Sequence, residues 1–295
     1  MKFKLLSIVD NKLGLKWKII IGLGALLLFA LLVMGGAIYF QGMTLAINEL
    51  LESTGKNIEK DATKIELFIK SSNDNLMVMT NTPPIQGIIR ARDNAGIDSL
   101  TGDKAEYWYA RMAQIFSAFL RYHPEYFQLR YLDEKGYELV RADMTGKAVK
   151  ITPRKELQNT AQYPYFTEAM KLRRNEVYYS EVNLNREHGV IQGTHTPVFR
   201  IATPVYDARK KARGVVVVGI LAEAMFSEIR TASGETDKYV INKEGYFLVH
   251  PDSSKEFGFE LGFDYRISNA MPDIADEIKT RDFNVKNHKE EKHIT

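Results

Sequence analysis

The hydrophobic pattern changes period along this chain. From Ile19 to Phe40 the sequence IIIGLGALLLFALLVMGGAIYF runs for 22 residues without a charge. A helix rises about 1.5 Å per residue and a bilayer core is about 30 Å thick, so this run is long enough to cross a membrane. From Met43 to Met79 the period becomes helical: Met43, Ile47, Leu50, Ile58, Ala62, Ile65, Ile69, Leu76 and Met79 recur mainly at steps of three and four. The stripe predicts one amphipathic helix of about 55 Å that leaves the membrane and stops at Pro83-Pro84. It needs a partner. A homodimeric coiled coil near the membrane with a lid on a folded lobe further out would supply one, and so would an intradomain core along its whole length.

Beyond a loop rich in Asp, Asn and Gly (Asp93 to Asp103), Trp108, Met112, Ile115, Phe116 and Phe119 mark a second helix that ends before Pro124. The period then falls to two. Tyr126–Asp133 and Tyr137–Asp143 are aromatic and β-branched runs joined by Asp133-Glu134-Lys135-Gly136, which predicts a hairpin with glycine in the left-handed region. Pro164 opens a short helix over Tyr163–Leu172, since proline is tolerated in a first turn. Strands follow at Val177–Val182, Pro197–Tyr206 and Gly214–Leu221. This order fits an α+β fold, an antiparallel sheet with helices on one face.

A weak internal repeat extends the pattern. Tyr131–Asp143 aligns without gaps to Val240–Asp252 at an offset of 109 residues, matching at Gly, Tyr, Leu, Val and Asp. A step of domain size suggests a second lobe that opens with the hairpin at Gly245. Only 50 residues follow Gly245, whereas the first lobe uses 85 from Gly136 to Leu221, so the second lobe is expected to be cut short, ending in a strand at Lys292–Thr295. Its hairpin face, with Val240, Phe247 and Val249, should then be partly exposed.

Charge adds orientation. Residues 1–18 carry five lysines against one aspartate, a local +4 in a chain of +3, so residues 19–295 come to −1. The basic flank places the N-terminus in the cytoplasm and residues 41–295 outside, in the periplasm or beyond. The run is too long for a signal peptide's apolar segment, and Gly35-Gly36-Ala37 is a poor cleavage site, so an uncleaved anchor is expected. A basic tail confined to the membrane flank argues against nucleic-acid binding. With no cysteine, disulfides, thiolate metal sites and cysteine nucleophiles are excluded.

A membrane helix, a stalk helix, and then FQLRYLDEKGYELVRAD, QYPYFTEAM and THTPVFRIATPVYDARKKARGVVVVGI resemble the double Cache sensor domains, PAS-like extracytoplasmic modules of bacterial transmembrane receptors. The resemblance covers about residues 41–295. It implies a cytoplasmic tail at 1–18, a transmembrane helix at 19–40, a stalk at 41–82, a membrane-distal ligand-binding lobe at 83–235 and a membrane-proximal lobe at 236–295, in the inner membrane of a bacterium. It further implies a small-molecule pocket in the distal lobe and an output module of histidine kinase, chemotaxis or diguanylate cyclase type. No such module lies within these residues, so no enzyme activity is expected of them. Amino-acid-sensing relatives carry an arginine, a spacer, then tryptophan and tyrosine on the pocket helix. The matching positions here are Tyr163, Tyr165 and Phe166, and the absent arginine argues against an α-amino acid held by that motif. Dicarboxylate-sensing relatives have Arg-Pro-Tyr-Phe, of which only Pro164-Tyr165-Phe166 is kept.

A pocket for a small organic anion needs an Arg or Lys fork and aromatic walls. Arg141 and Arg200 each interrupt an apolar strand and are the candidate forks, with the solvent face as the alternative place for each. Tyr163, Tyr165, Phe166 and Tyr179 are candidate walls, or else ordinary core. In Val198–Thr203 alternation puts Val198, Arg200 and Ala202 on one face, so Thr203 can offer its hydroxyl only from the other face or near the break at Pro204. His188 and His195 lie seven apart beside Glu187 in a loop between strands and could be read as metal ligands, but six histidines scattered over the chain make solvated loop histidines the default, so neither metal nor cofactor is expected. No nucleophile-elbow, zincin, phosphate-loop or dinucleotide motif occurs. The expected function is a membrane-anchored sensor that binds a small molecule. The alternatives are an anchored, non-signalling binding or interaction protein, or a hydrolase working through carboxylates such as Asp133 and Asp143.

Overall fold

The computed structural model describes residues 14–187, 189–231, 237–273 and 275. The start of the basic tail (1–13), His188 and the strand expected at Lys292–Thr295 lie outside the described residues. The chain divides into two units between Thr63 and Lys64. Helix α1, Leu15–Thr80, begins in the first. Over residues 15–63 none of its side chains is buried, and Leu26, Phe29 and Phe40 are each about 70% exposed. Such an apolar helix cannot bury its own surface and is long and apolar enough to cross a membrane.

In the second unit α1 contributes Leu76 and Met79 to the core. Pro83 and Pro84 do end α1, but they also open a helix that periodicity had not suggested, α2 at Pro83–Asp93, because proline's fixed φ suits the first turn. Helix α3 follows at Ala105–Tyr122.

The strands are β1 (Tyr126–Leu132), β2 (Glu138–Thr145), β3 (Ala148–Ile151), β4 (Tyr178–Tyr179), β5 (Asn183–Leu184), β6 (Arg186–Glu187), β7 (Val190–Ile191), β8 (Pro197–Tyr206) and β9 (Ala212–Leu221). They form an antiparallel sheet of order β3-β2-β1-β9-β8-β4, with β5 also on β8 and β6-β7 as a separate ribbon. Strand β3 was not expected, and the strand expected over Val177–Val182 shrinks to β4. Helices α1, α2 and α3 cover one face, packing Leu76, Ile88 and Phe116 against Leu129, Ile201, Val216 and Val218. The other face carries Leu132, Ala202, Val215 and Val217, covered by a short helix α4 at Pro164–Thr167 and the 3-10 turn Ala169–Lys171. The single helix expected over Tyr163–Leu172 is thus two short turns.

Helix α5 (Glu223–Thr231) leads to a second, smaller sheet of β10 (Val240–Ile241) and β11 (Phe247–Val249), followed by α6 (Gly258–Leu261) and α7 (Ile267–Ala270), within the same unit. The repeat is visible in its hydrogen bonds. Asp133 Oδ1 accepts from the Lys135 and Tyr137 amides, and Asn242 Oδ1 from those of Glu244 and Tyr246, at 2.8–3.0 Å. Gly136 and Gly245 take φ of +80° and +84°, where a Cβ would be strained. The carbonyls of these glycines accept from the Thr160 and Ile267 amides. One expectation fails in part: Val240 is partly exposed, but Phe247 and Val249 are at most 2% exposed. Leu248, Val249 and Phe257 pack into the main core, and Phe247 packs with Ile267 and Ala275, so this hairpin face is covered without further strands.

Candidate functional site

The face of the sheet opposite the long helices holds a row of charged and polar side chains. Arg130 of β1 pairs directly with Arg141 of β2, and Arg200 of β8 lies opposite Gly219 of β9. Like charges facing one another across strands cost stability unless something neutralises them. Glu138, whose side chain is fully buried, does so, with Oε1 3.6 Å from Arg130 and 3.9 Å from Arg141. Asp143 takes the Arg141 Nε–H at 2.8 Å and also accepts from Gln128 and Thr152. The register of β1 on β9, inside the sheet, shifts between Tyr126 and Gln128, a local irregularity that adds twist beside this floor. Phe127 lies against Gly219, where a Cβ would come within 2.7 Å of its ring, and 5.9 Å from the Arg200 guanidinium.

Above this floor is a cavity of about 580 Å³. Pro164 sets the first turn of α4 and Tyr163 precedes it in extended geometry, so the two tyrosines flanking the proline stack at 5.4 Å with rings 8° from parallel. Arg130 Nη1 donates to the Tyr165 hydroxyl at 2.8 Å, and its guanidinium lies 4.6 Å from the Tyr165 ring centre. Arg130 is 5% exposed, and its Nε has no hydrogen-bond partner among the described residues. Arg200 Nη2 donates to Asn185 at 3.2 Å. Burial, with Glu168 and Glu181 nearby, raises the pKa of the Tyr178 phenol, so at neutral pH that wall is an uncharged donor. The rim ties to other elements: Asn73 of α1 donates to the Tyr179 hydroxyl, and Glu260 of α6 accepts from the Leu184 amide and from Arg186.

Of the residues singled out from the sequence, Arg141, Tyr163, Tyr165, Tyr179 and Arg200 line this cavity. Two lie off it. Phe166 is buried beneath, in the cluster with Leu132, Ala202 and Val215. Thr203 has the opposite strand parity to Arg200 and spends its hydroxyl on the Glu176 carbonyl at 2.7 Å. His195 is exposed in the β7–β8 connection. Arg130, Gln128, Arg186 and Glu260 also line the cavity. Arg130 carried the same signal as Arg141 and Arg200, an arginine inside an apolar strand.

A family model for the sensor domain of bacterial histidine kinases matches residues 93–294. The chain belongs to that family. Among solved structures this sensor domain is similar to a domain from Vibrio parahaemolyticus assigned to the sensory box/GGDEF family. That match has 17% identity and a TM-score of 0.61, covering 78% of this chain and 82% of the other. The extracellular domain assigned to histidine kinase vpHK1S-Z8 gives 18% identity and a TM-score of 0.62, covering 78% of each chain. The sensor domain of histidine kinase DctB from V. cholerae gives 11% identity and a TM-score of 0.50, over 71% and 70%. At these identities the likeness establishes the fold, a Cache-like sensor architecture. No protein of curated function matches the sequence.

Proposed function

We propose that this sensor domain is the extracytoplasmic input module of a membrane-anchored receptor and that the arginine-floored cavity binds a small organic anion. The observation that carries the reading is Arg130, a buried cation that lines a tyrosine-walled cavity and whose Nε–H has no hydrogen-bond partner among the described residues. A buried donor without a partner costs free energy that an anionic ligand would recover. Arg130 and Arg200 hold the anion and Tyr163, Tyr165 and Tyr179 exclude water around it. The arginine missing before Pro164 is replaced in this reading by Arg130, which reaches Tyr165 from the sheet.

Ligand binding is read out at the rim. The Asn73–Tyr179 contact joins the cavity to α1, and Lys64 of α1 also pairs with Glu228 of α5 at 2.6 Å. A shift of a packed helix by about 1–2 Å is a known mode of transmission, and a homodimer through the α1 stalk with its N-terminus in the cytoplasm would carry it across the membrane. The test is isothermal titration of a panel of small carboxylates against the detergent-solubilised chain. A carboxylate that binds should lose about 2–5 kcal/mol of affinity in Arg200→Ala, with Arg200→Lys rescuing only part. Equal affinities in wild type and Arg200→Ala, with circular dichroism unchanged, would refute the assignment.

A further inference from the structure

A second and larger cavity, about 910 Å³, adjoins the first, and Gln128, Arg141 and Gln158 line both. Its chemistry differs. Thr152, Gln158, Gln192, Thr194 and Thr196 line it, uncharged groups able both to donate and to accept, beside an apolar wall that includes Val198 and Leu221. The charged groups on its wall are already matched: Arg141 with Asp143 at 2.8 Å and Lys150 with Glu156 at 3.6 Å. We propose that the ligand is a polyhydroxylated monoanion of the sugar-acid class, with its carboxylate on Arg130 and Arg200 and its hydroxyl-bearing body in the outer cavity. This rests on the reading of the inner cavity as an anion site and adds the ligand's class to it.

Three comparisons favour this class. An apolar tail in the outer cavity would contact Val198 and Leu221 but would strip water from the more numerous hydroxyls and amides and return them no hydrogen bonds. A second anionic group there would meet Asp143 and Glu156 with no spare cation to offset them. An α-ammonium group beside the inner carboxylate would need an acceptor of its own. The acidic residues around it are engaged, Glu260 with Arg186 at 2.9 Å, Glu181 with Lys243, and Glu138 between Arg130 and Arg141. A chain of hydroxyls, each both donor and acceptor, matches a wall of threonines and amides, and a site built to hydrogen-bond hydroxyls rejects analogues that lack them.

The test is titration calorimetry of the full chain in detergent micelles with D-gluconate, succinate, L-leucine and D-glucose. We expect D-gluconate to bind at least ten-fold more tightly than each of the other three. The pair Thr194→Val with Thr196→Val, which touches only the outer cavity, should weaken gluconate at least ten-fold and leave succinate unchanged, whereas Arg200→Met should weaken both. Thermal melts establish that each variant is folded. Succinate or L-leucine binding as tightly as gluconate, or gluconate indifferent to the outer-cavity pair, overturns the ligand class and leaves the anion site standing. D-glucose binding as tightly as gluconate, or gluconate binding that is indifferent to Arg200→Met, overturns the anion site beneath it. So does the failure of every probe to bind at millimolar concentration.

Discussion

Arg213 offers a test of how the sensor lobe is held together. Its side chain is 8% exposed and joins three elements: Asp93 at the end of α2 at 2.5 and 2.6 Å, Glu134 in the β1–β2 turn at 2.5 Å, and Asp207 in the β8–β9 turn at 3.4 Å. Arg213→Met keeps much of the volume and removes the cation, leaving Glu134 with Arg92 at 2.9 Å and Asp207 with the Arg209 and Lys211 amides. Breaking a buried ion pair costs about 3–5 kcal/mol. Asp93 is more than half exposed, so water screens its share and about 2–4 kcal/mol is expected at pH 7. At about 2–4 °C per kcal/mol for a domain of this size, the melting temperature should fall by roughly 4–16 °C.

The pH dependence identifies the cause. The Arg213 hydrogen bonds hold the Asp93 carboxyl below its usual range. Burial pushes Glu134 and Asp207 the other way, but hydrogen bonds outweigh it, from Arg213 to Glu134 and from the Lys211 and Arg209 amides with Arg213 to Asp207. A depressed carboxylate pKa means stability that is present above the unfolded value, about 4, and lost as pH falls toward the folded values. The wild-type advantage should therefore be full at pH 7 and close toward pH 3, where protonated acids no longer need the cation. Melts by circular dichroism in detergent from pH 3 to pH 8 measure it. A difference that stays constant across that range would mean that Arg213 acts by packing, and the electrostatic reasoning would be refuted.

Three further outcomes are expected. Asp98→Asn should cost about 1.5–3 kcal/mol, because Asp98 is 1% exposed and accepts from Arg90 at 2.6 and 2.8 Å. Arg90 holds its carboxyl well below the ordinary range, so the loss should be seen at neutral pH and vanish in strong acid; urea melts at two pH values check it. Gly219→Ala should destabilise by about 1–3 kcal/mol and perturb Phe127, since the new methyl meets that ring at 2.7 Å; near-ultraviolet circular dichroism would record the ring's displacement. Alkaline phosphatase fused after residue 230 should be active, and activity of a cytoplasm-only reporter at that position would reverse the proposed orientation.

What the sequence by itself determined were properties that depend on neighbours along the chain. The uncharged run Ile19–Phe40 reads as a membrane-length helix whatever lies around it. Gly136 and Gly245 mark hairpins because a left-handed turn is a local demand, and Pro197–Tyr206 reads as a strand through its own alternation. Alternation also separated Arg200 from Thr203, since parity along a strand is a local property. Tertiary structure decided what stands opposite. Only the β1–β2 register sets Arg130 against Arg141, and only the return of the chain places Tyr165 against Arg130 and Arg200. Phe166 and Thr203 fell away from the cavity because one entered the layer beneath it and the other faced the helices. Glu260 reaches the rim from 74 residues beyond Arg186, a distance that no local pattern encodes. The hairpin at Gly245 looked bare for the same reason: its cover comes from a core assembled mostly by residues before it, and burial depends on surfaces that meet only when the chain has folded.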